Sequence, residues 1–547
     1  MSHPPPIDVN YRLSTSTEVL STSEAGDKIA TKGKVSFREG RADGIRVVVR
    51  PEMVKQTIVG IGTSFTESSA FVLAHLAPTT RTEVMERIFG EGGANFSLTR
   101  TPIGATDFSV TGKYSYAEDP DDRALEHFSI APDQDGFAAS DYPGIKDEAF
   151  DLLPMIKEAI AIKQRQKDDD LRIIASAWTA PPWMKDTEDW YTPGTPENDY
   201  QGTGGSLKPE HVQTYAEYVV RYLDAYRAAG VDIWGLTPVN EPDGNSGQWE
   251  SMHFTPATQN DFIKRHLGPA LHARDFSDVK LLIYDHNRSE LEKWTDVIFA
   301  DPETAPYVDG AAVHWYGSTY KVYEEVLDRV HEKFPDFSII HTEGTIDDLG
   351  KDAPGGILDP IRFKESGWFD DVDFWWNENA TDWAYTATWA PNAEDHPIYT
   401  PVHRYARNII VSLNHWMEGW IDWNIVLDRD GGPNHVGNFC GAPIMVDVES
   451  GYVYYTPIYY VLAQLSRTIR PGDKAVQAHT HLGDLNDDAL HSSATINGEG
   501  LLTTQLLNTT KAPIRFSLQI GAQYADVEIE ANSLQTIRVQ LQDISAP

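Results

Sequence analysis

The chain has 547 residues, 41% of them hydrophobic and 11% aromatic, which suits a globular protein with a large buried core. Its 82 acidic residues against 45 Lys and Arg leave a net charge of −37, which repels phosphate backbones and anionic bilayers and excludes nucleic acid as an expected partner. Cys440 is the single cysteine, so no intramolecular disulfide can form, and no run of about 18 apolar residues marks a membrane-spanning helix.

The opening MSHPPPIDVNYRLS has neither a basic nor an apolar leader segment. With the lone cysteine this favours a cytoplasmic location, secretion being open if a leader has been removed. Residues 1–56 contain alternating pieces, KVSFREG and GIRVVVRPE, that read as half-buried strands. Eight apolar, strand-like runs follow, at 57–66, 97–109, 172–183, 232–242, 279–287, 308–317, 337–345 and 417–426. Amphipathic segments separate them, 81–89 and 212–229 among them. Eight strands alternating with helices predict an α/β fold, a (β/α)8 TIM barrel over residues 57–459. Residues 460–547 alternate again, in LLTTQLLNTT, PIRFSLQI, ADVEIE and LQTIRVQL. Both termini, 1–56 and 460–547, are expected to form one β-sandwich attached to the barrel. The stretch 345–401 is long for a strand-to-helix connection and rich in Trp, as expected of a loop that shapes a binding site.

Polar and aromatic residues gather at the C-terminal ends of the runs: Asp107, Trp178, Asn240 with Glu241, His314 with Trp315 and Tyr316, Glu343, and Trp423. That end of a barrel carries the active site. Glu241 closes the fourth run in TPVNEP and Glu343 the seventh in HTEGT, so the two carboxyl groups can converge on one mouth. Such a pair is what glycosidic bond cleavage needs: roughly 5–5.5 Å apart for retention, roughly 6.5–9.5 Å for inversion. Asn240 is placed to bond a sugar hydroxyl beside the reacting carbon. Tyr316 or His314 would orient Glu343, or the three residues would form a packed rim. Trp178 and Trp423 would floor the sugar site or belong to the core. Asp107 would grip outer hydroxyls or cap a helix. No HExxH, paired cysteines or phosphate loop appears, so no metal or cofactor is expected, and the Asp428-Arg-Asp430-Gly-Gly segment reads as a turn.

The motifs RTPIGATDFS, YSYAED, SAWTAPPWMK, GSLKPE, TPVNEP, FTPATQNDFI, AVHWYG, HTEGT, GWIDWN and GGPNHVGNF occur in an order that resembles glycoside hydrolase family 30, in its branch containing acid β-glucosidase (glucosylceramidase). The resemblance covers nearly the whole chain. It implies a retaining double displacement, with Glu241 as acid/base and Glu343 as nucleophile. It places Asp107, Trp178, Asn240, Trp423 and Asn438 around the glycosyl unit, Trp315 and Tyr316 beside the nucleophile, and Phe254 near the leaving group. The expected substrate is a β-glucoside, as a small molecule, glycan or glycolipid. The alternatives are an endo-β-1,6-glucanase, a β-xylosidase or a β-fucosidase of the same family. A non-catalytic carbohydrate-binding protein is the reading outside enzymes, and it leaves the carboxylate pair without a purpose.

Overall fold

The computed structural model describes residues 11–166, 171–192, 204–244, 249–318, 321–345 and 399–543. The expected Trp-rich loop therefore lies almost wholly outside the described residues.

Eight parallel strands close into a barrel: β1 (Gly60–Ser64), β2 (Leu98–Ile103), β3 (Arg172–Ala177), β4 (Gly235–Thr237), β5 (Lys280–Asn287), β6 (Gly310–His314), β7 (Ser338–Glu343) and β8 (Met417–Asp422). Each falls within one of the eight apolar runs, because strands buried on both faces carry continuous apolar sequence rather than alternation. Inside the barrel, Leu98, Ile174, Leu282, Ala312, Ile340 and Ile421 pack as one apolar layer.

Helices cover the outer face. In α1 (Val212–Ala228), Tyr215, Tyr218, Tyr222 and Tyr226 recur at helical spacing and are all buried. The Tyr215 hydroxyl donates to the Pro238 carbonyl at 2.8 Å, which ties this helix to the segment leaving β4. Behind β7 and β8, α2 (Tyr399–Asn414) contributes Tyr405 to an aromatic cluster with Trp315, Trp420 and His341. A further helix, α3 (Pro457–Thr468), buries Ile458, Leu462 and Leu465 in the core that serves the barrel.

The two ends of the chain meet as expected. Strand Tyr11–Ser23 pairs antiparallel with Ser533–Asp543, and Arg46–Thr57 lies between Lys474–His481 and Ile514–Ile520. Inward residues of these strands and of Leu501–Asn508 in the same sheet, including Val47, Val49, Leu502, Leu506, Phe516 and Leu518, form a second core. Period-two alternation is legible here because one face of each strand is solvated.

Candidate active site

Two residues up each strand from the apolar layer, the barrel interior turns polar. Leu98 is followed by Arg100, Ile174 by Ser176, Ala312 by His314 and Ile340 by Thr342, as side-chain alternation requires. Strand β5 breaks the rule. Its pairing with β6 slips between Ala312 and Val313, and Tyr284 and Asp285 take left-handed backbone angles, φ 75° and 69°. This bulge aims Asp285 into the polar layer, and the freed Tyr284 N–H donates to Gln259 Oε1 at 3.0 Å.

Asp285 is the hub. Its Oδ2 accepts from Arg100 at 2.6 Å, Ser176 Oγ at 2.6 Å and Thr237 Oγ1 at 2.8 Å. Its Oδ1 accepts from Thr342 Oγ1 at 2.6 Å and from His314 Nε2 at 3.0 Å. Burial alone would raise this carboxyl, but the Arg100 and His314 charges hold it well below the usual carboxylate range. Arg100, fully buried, also donates to Asn240 Oδ1 at 2.7 Å and to Glu343 Oε2. The Tyr316 hydroxyl donates to the other Glu343 oxygen at 3.0 Å. Tyr316 thus orients Glu343, whereas His314 reaches the other glutamate: its Nδ1 lies 3.3 Å from Glu241 Oε1.

Glu241 has a left-handed backbone, φ 47°, fixed by its N–H donating to the Asp285 carbonyl at 2.9 Å. Burial raises its carboxyl above the ordinary range, His314 opposing and Glu343 assisting. For His314, burial works against the charged form, yet Glu343 and Asp285 push its pKa up to about 9. One connected network therefore spans the mouth, Glu343–Arg100–Asp285–His314–Glu241. A further grouping was not visible in any local motif: Glu241, His286 and His314 bring three ligand-type atoms within 4.8 Å of one another.

Aromatics close one side. Trp178 and Trp423 stack with centroids 5.1 Å apart, and the Arg100 guanidinium lies 4.7 Å from the Trp178 ring. Asp107 accepts from Asn438 Nδ2 at 3.0 Å and from Asn434 Nδ2 at 3.4 Å. Burial pushes the Asp107 carboxyl up to about 7, against the Asn438 hydrogen bond and with the help of the Glu343 charge. Behind it, His435 joins the Asp107 backbone to the fully buried Glu250, at 3.2 Å through Nε2.

Trp315 and Phe254, also expected at the site, are buried against the segments that carry the two glutamates. Trp315 belongs to the aromatic cluster behind β7, where its Nε1 donates to the Thr345 carbonyl at 3.2 Å, so it backs the strand that carries Glu343. Phe254 is buried against Phe262, its N–H donating to the Pro242 carbonyl at 3.0 Å, so it supports the Glu241 turn from behind. The Asp428 segment is a turn: Asp428 Oδ1 accepts from the N–H groups of Asp430 and Gly432. Arg100 and Asp285 were passed over in the sequence, although a charged residue inside an apolar run is itself a signal, since it must find a buried partner.

The family model of the glycosyl hydrolase family 30 TIM-barrel domain matches residues 58–398 and 379–469, and that of the family's β-sandwich domain matches 475–537. The chain belongs to glycosyl hydrolase family 30. It is 30% identical to the lysosomal acid glucosylceramidase of Mus musculus over 79% of this chain and 72% of that one. It is 24% identical to an endo-1,6-β-D-glucanase of Trichoderma harzianum over 88% and 84%. The crystal structure of SrfJ from Salmonella typhimurium superposes with a TM-score of 0.77 at 22% identity, covering 96% of this chain and 100% of that one. The chain is therefore a glycosidase of family 30, and its fold is the family's barrel with attached sandwich.

Proposed function

We propose that the protein is a retaining β-glucosidase of the glucosylceramidase type. The carrying observation is the unequal treatment of two carboxyl groups on one buried network. Arg100 and Tyr316 hold both oxygens of Glu343, leaving it aimed and fixed as a nucleophile would be. Among the described residues Glu241 has only His314 as a cationic hydrogen-bond partner, and burial favours its protonated form. In this reading Glu343 attacks the anomeric carbon while Glu241 gives its proton to the departing oxygen. Glu241 then takes a proton from the water that releases the sugar. Asn240, held by Arg100, would bond the hydroxyl next to the reacting carbon. Trp178 and Trp423 would face the sugar ring. Asp107 would take the outer hydroxyls together with Asn438, whose Oδ1 finds no hydrogen-bond partner among the described residues. Phe254 and Trp315 would act on the reaction only through the segments they support.

An aryl β-glucoside, glucosylceramide and β-1,6-glucan, offered to the same preparation with products followed by proton NMR, test both chemistry and substrate. Glucose released first as the β-anomer is expected. First release of the α-anomer would overturn retention. Oligosaccharides from β-1,6-glucan, with the two glucosides untouched, would favour the endo-glucanase reading that the 24% relative suggests. Glu343→Gln and Glu241→Gln should each cost about 10²–10⁴-fold in turnover. A 2-fluoro glucoside should label Glu343, an adduct that a pure carbohydrate binder could not form.

A further inference from the structure

We propose that the barrel mouth holds a site for a late first-row divalent cation such as Zn2+, made by Glu241 Oε1, His286 Nδ1 and His314 Nδ1. The three residues converge with ligand atoms within 4.8 Å of one another. Glu241 Oε1 lies 3.3 Å from His314 Nδ1 and 3.7 Å from His286 Nδ1. These separations are long for charge-assisted hydrogen bonds, which run to about 2.7–2.9 Å. The first separation matches the edge of a tetrahedron around a metal bonded at about 2.0–2.1 Å, where neighbouring ligands sit roughly 3.3 Å apart, and the second is longer, so the His286 ring must close in on the ion as it binds.

The surroundings are those of a ligating histidine. His314 Nε2 lies 3.0 Å from Asp285 Oδ1, and Asp285 is itself fixed by Arg100, Ser176, Thr237 and Thr342. A carboxylate on the far nitrogen sets the ring orientation and leaves Nδ1 for the metal. His286 follows the β5 bulge, and its buried Nδ1 has no hydrogen-bond partner among the described residues. The Glu241 and His286 side chains keep 11% and 13% exposure, so solvent can complete the coordination and an ion can enter. Three protein ligands with an open position suit Zn2+, whose arrival displaces the Nδ1 proton of His314 to solvent. The net charge of −37 draws cations toward the surface generally.

The site stands on geometry alone. Its consequence rests on the role proposed for Glu241: an oxygen bound to a cation cannot protonate a leaving group, so the ion inhibits. The test is calorimetric titration of the full chain, first stripped with EDTA, with ZnCl2. Binding of one ion is expected to weaken at least about tenfold in His286→Gln, and likewise in Glu241→Gln, which removes the ligand from the opposite side. Circular dichroism melts in EDTA confirm that both variants are folded. Co2+ serves as a second probe, its visible bands on the wild-type chain being lost in both variants. Equal Zn2+ affinity in the wild type and both folded variants would overturn the proposal, as would no binding at all. Zn2+ should also suppress aryl β-glucoside turnover by the wild type. Binding lost with His286 but without effect on turnover would uphold the site and count against the Glu241 assignment instead.

Discussion

Arg100 and Asp285, 185 residues apart in sequence, form a fully buried ion pair at 2.6 Å, with no exposed side-chain surface on either partner. The pair joins two carboxyl groups that sit on different strands, since Arg100 continues to Glu343 and Asp285 continues through His314 to Glu241. A charge pair in such a place stabilises little by itself, because desolvation offsets most of the attraction. Its value is positional: both glutamates are oriented by groups that are themselves over-determined by Ser176, Thr237 and Thr342.

Removing one partner strands the other. Asp285→Asn keeps the shape and deletes the anion that Arg100 and His314 face. The expected cost is about 3–5 kcal/mol in folding stability, read from urea denaturation. A larger fall in kcat than in KM should accompany it, because the variant disturbs orientation rather than substrate contacts. A stability loss below about 1 kcal/mol with normal turnover would show that the hub has no organising role.

His314 makes stability depend on pH with a definite sign. Its pKa in the folded state, about 9, lies above the ordinary 6.5, so the folded state holds the proton more tightly than the unfolded chain. The contribution is fully present below about pH 6.5 and is lost as pH rises through about 9. Other buried groups titrate in the same range, so the useful quantity is a difference: wild type minus His314→Gln, from denaturation at several pH values. That difference should shrink steadily between about pH 6.5 and 9. A difference that grows with pH would mean that the histidine is neutral in the native state.

What could be read from the sequence followed from burial. The eight runs were legible because parallel barrel strands are apolar on both faces, and Glu241 and Glu343 stood out as acids ending such runs. Arg100 sits in the same kind of run, SLTRTPI, and Asp285 in LLIYDHN, yet their pairing depends on a bulge whose left-handed residues, Tyr284 and Asp285, carry no local mark. The contact of Asp107 with Asn434, and the support of His435 by Glu250, join segments more than 180 residues apart and follow only from the closed fold. Trp315 follows His314 along the chain, so His314 faces the polar layer while the Trp315 ring packs with Tyr405 and Trp420 behind β7.

The Trp178–Trp423 stack should carry both stability and substrate affinity. Trp178 contributes ring stacking, worth about 0.5–1.5 kcal/mol, and a desolvated cation–π contact with Arg100 of about 2 kcal/mol. Trp178→Leu keeps much of the apolar volume and should lose about 2–3 kcal/mol in denaturant unfolding. It should also raise KM for an aryl β-glucoside. Unchanged KM in a destabilised variant would assign the ring to the core alone.

Asp107 is the residue on which sugar choice should turn. Its carboxyl, clasped by Asn438 at 3.0 Å and Asn434 at 3.4 Å, is the proposed partner of the outer hydroxyls, of which a pentose such as xylose lacks the exocyclic one that glucose carries on its sixth carbon. Above about pH 7, where the Asp107 carboxyl is ionised, a hydrogen bond to it contributes about 1.5–3 kcal/mol, which is about 10–100-fold in kcat/KM. Asp107→Ala should therefore cost an aryl β-glucoside about that factor while leaving an aryl β-xyloside within a few-fold of its wild-type value. Parallel losses on both substrates would overturn the hexose preference, because they would place Asp107 on ring hydroxyls that the two sugars share or in the support of the loop that bears Asn434 and Asn438.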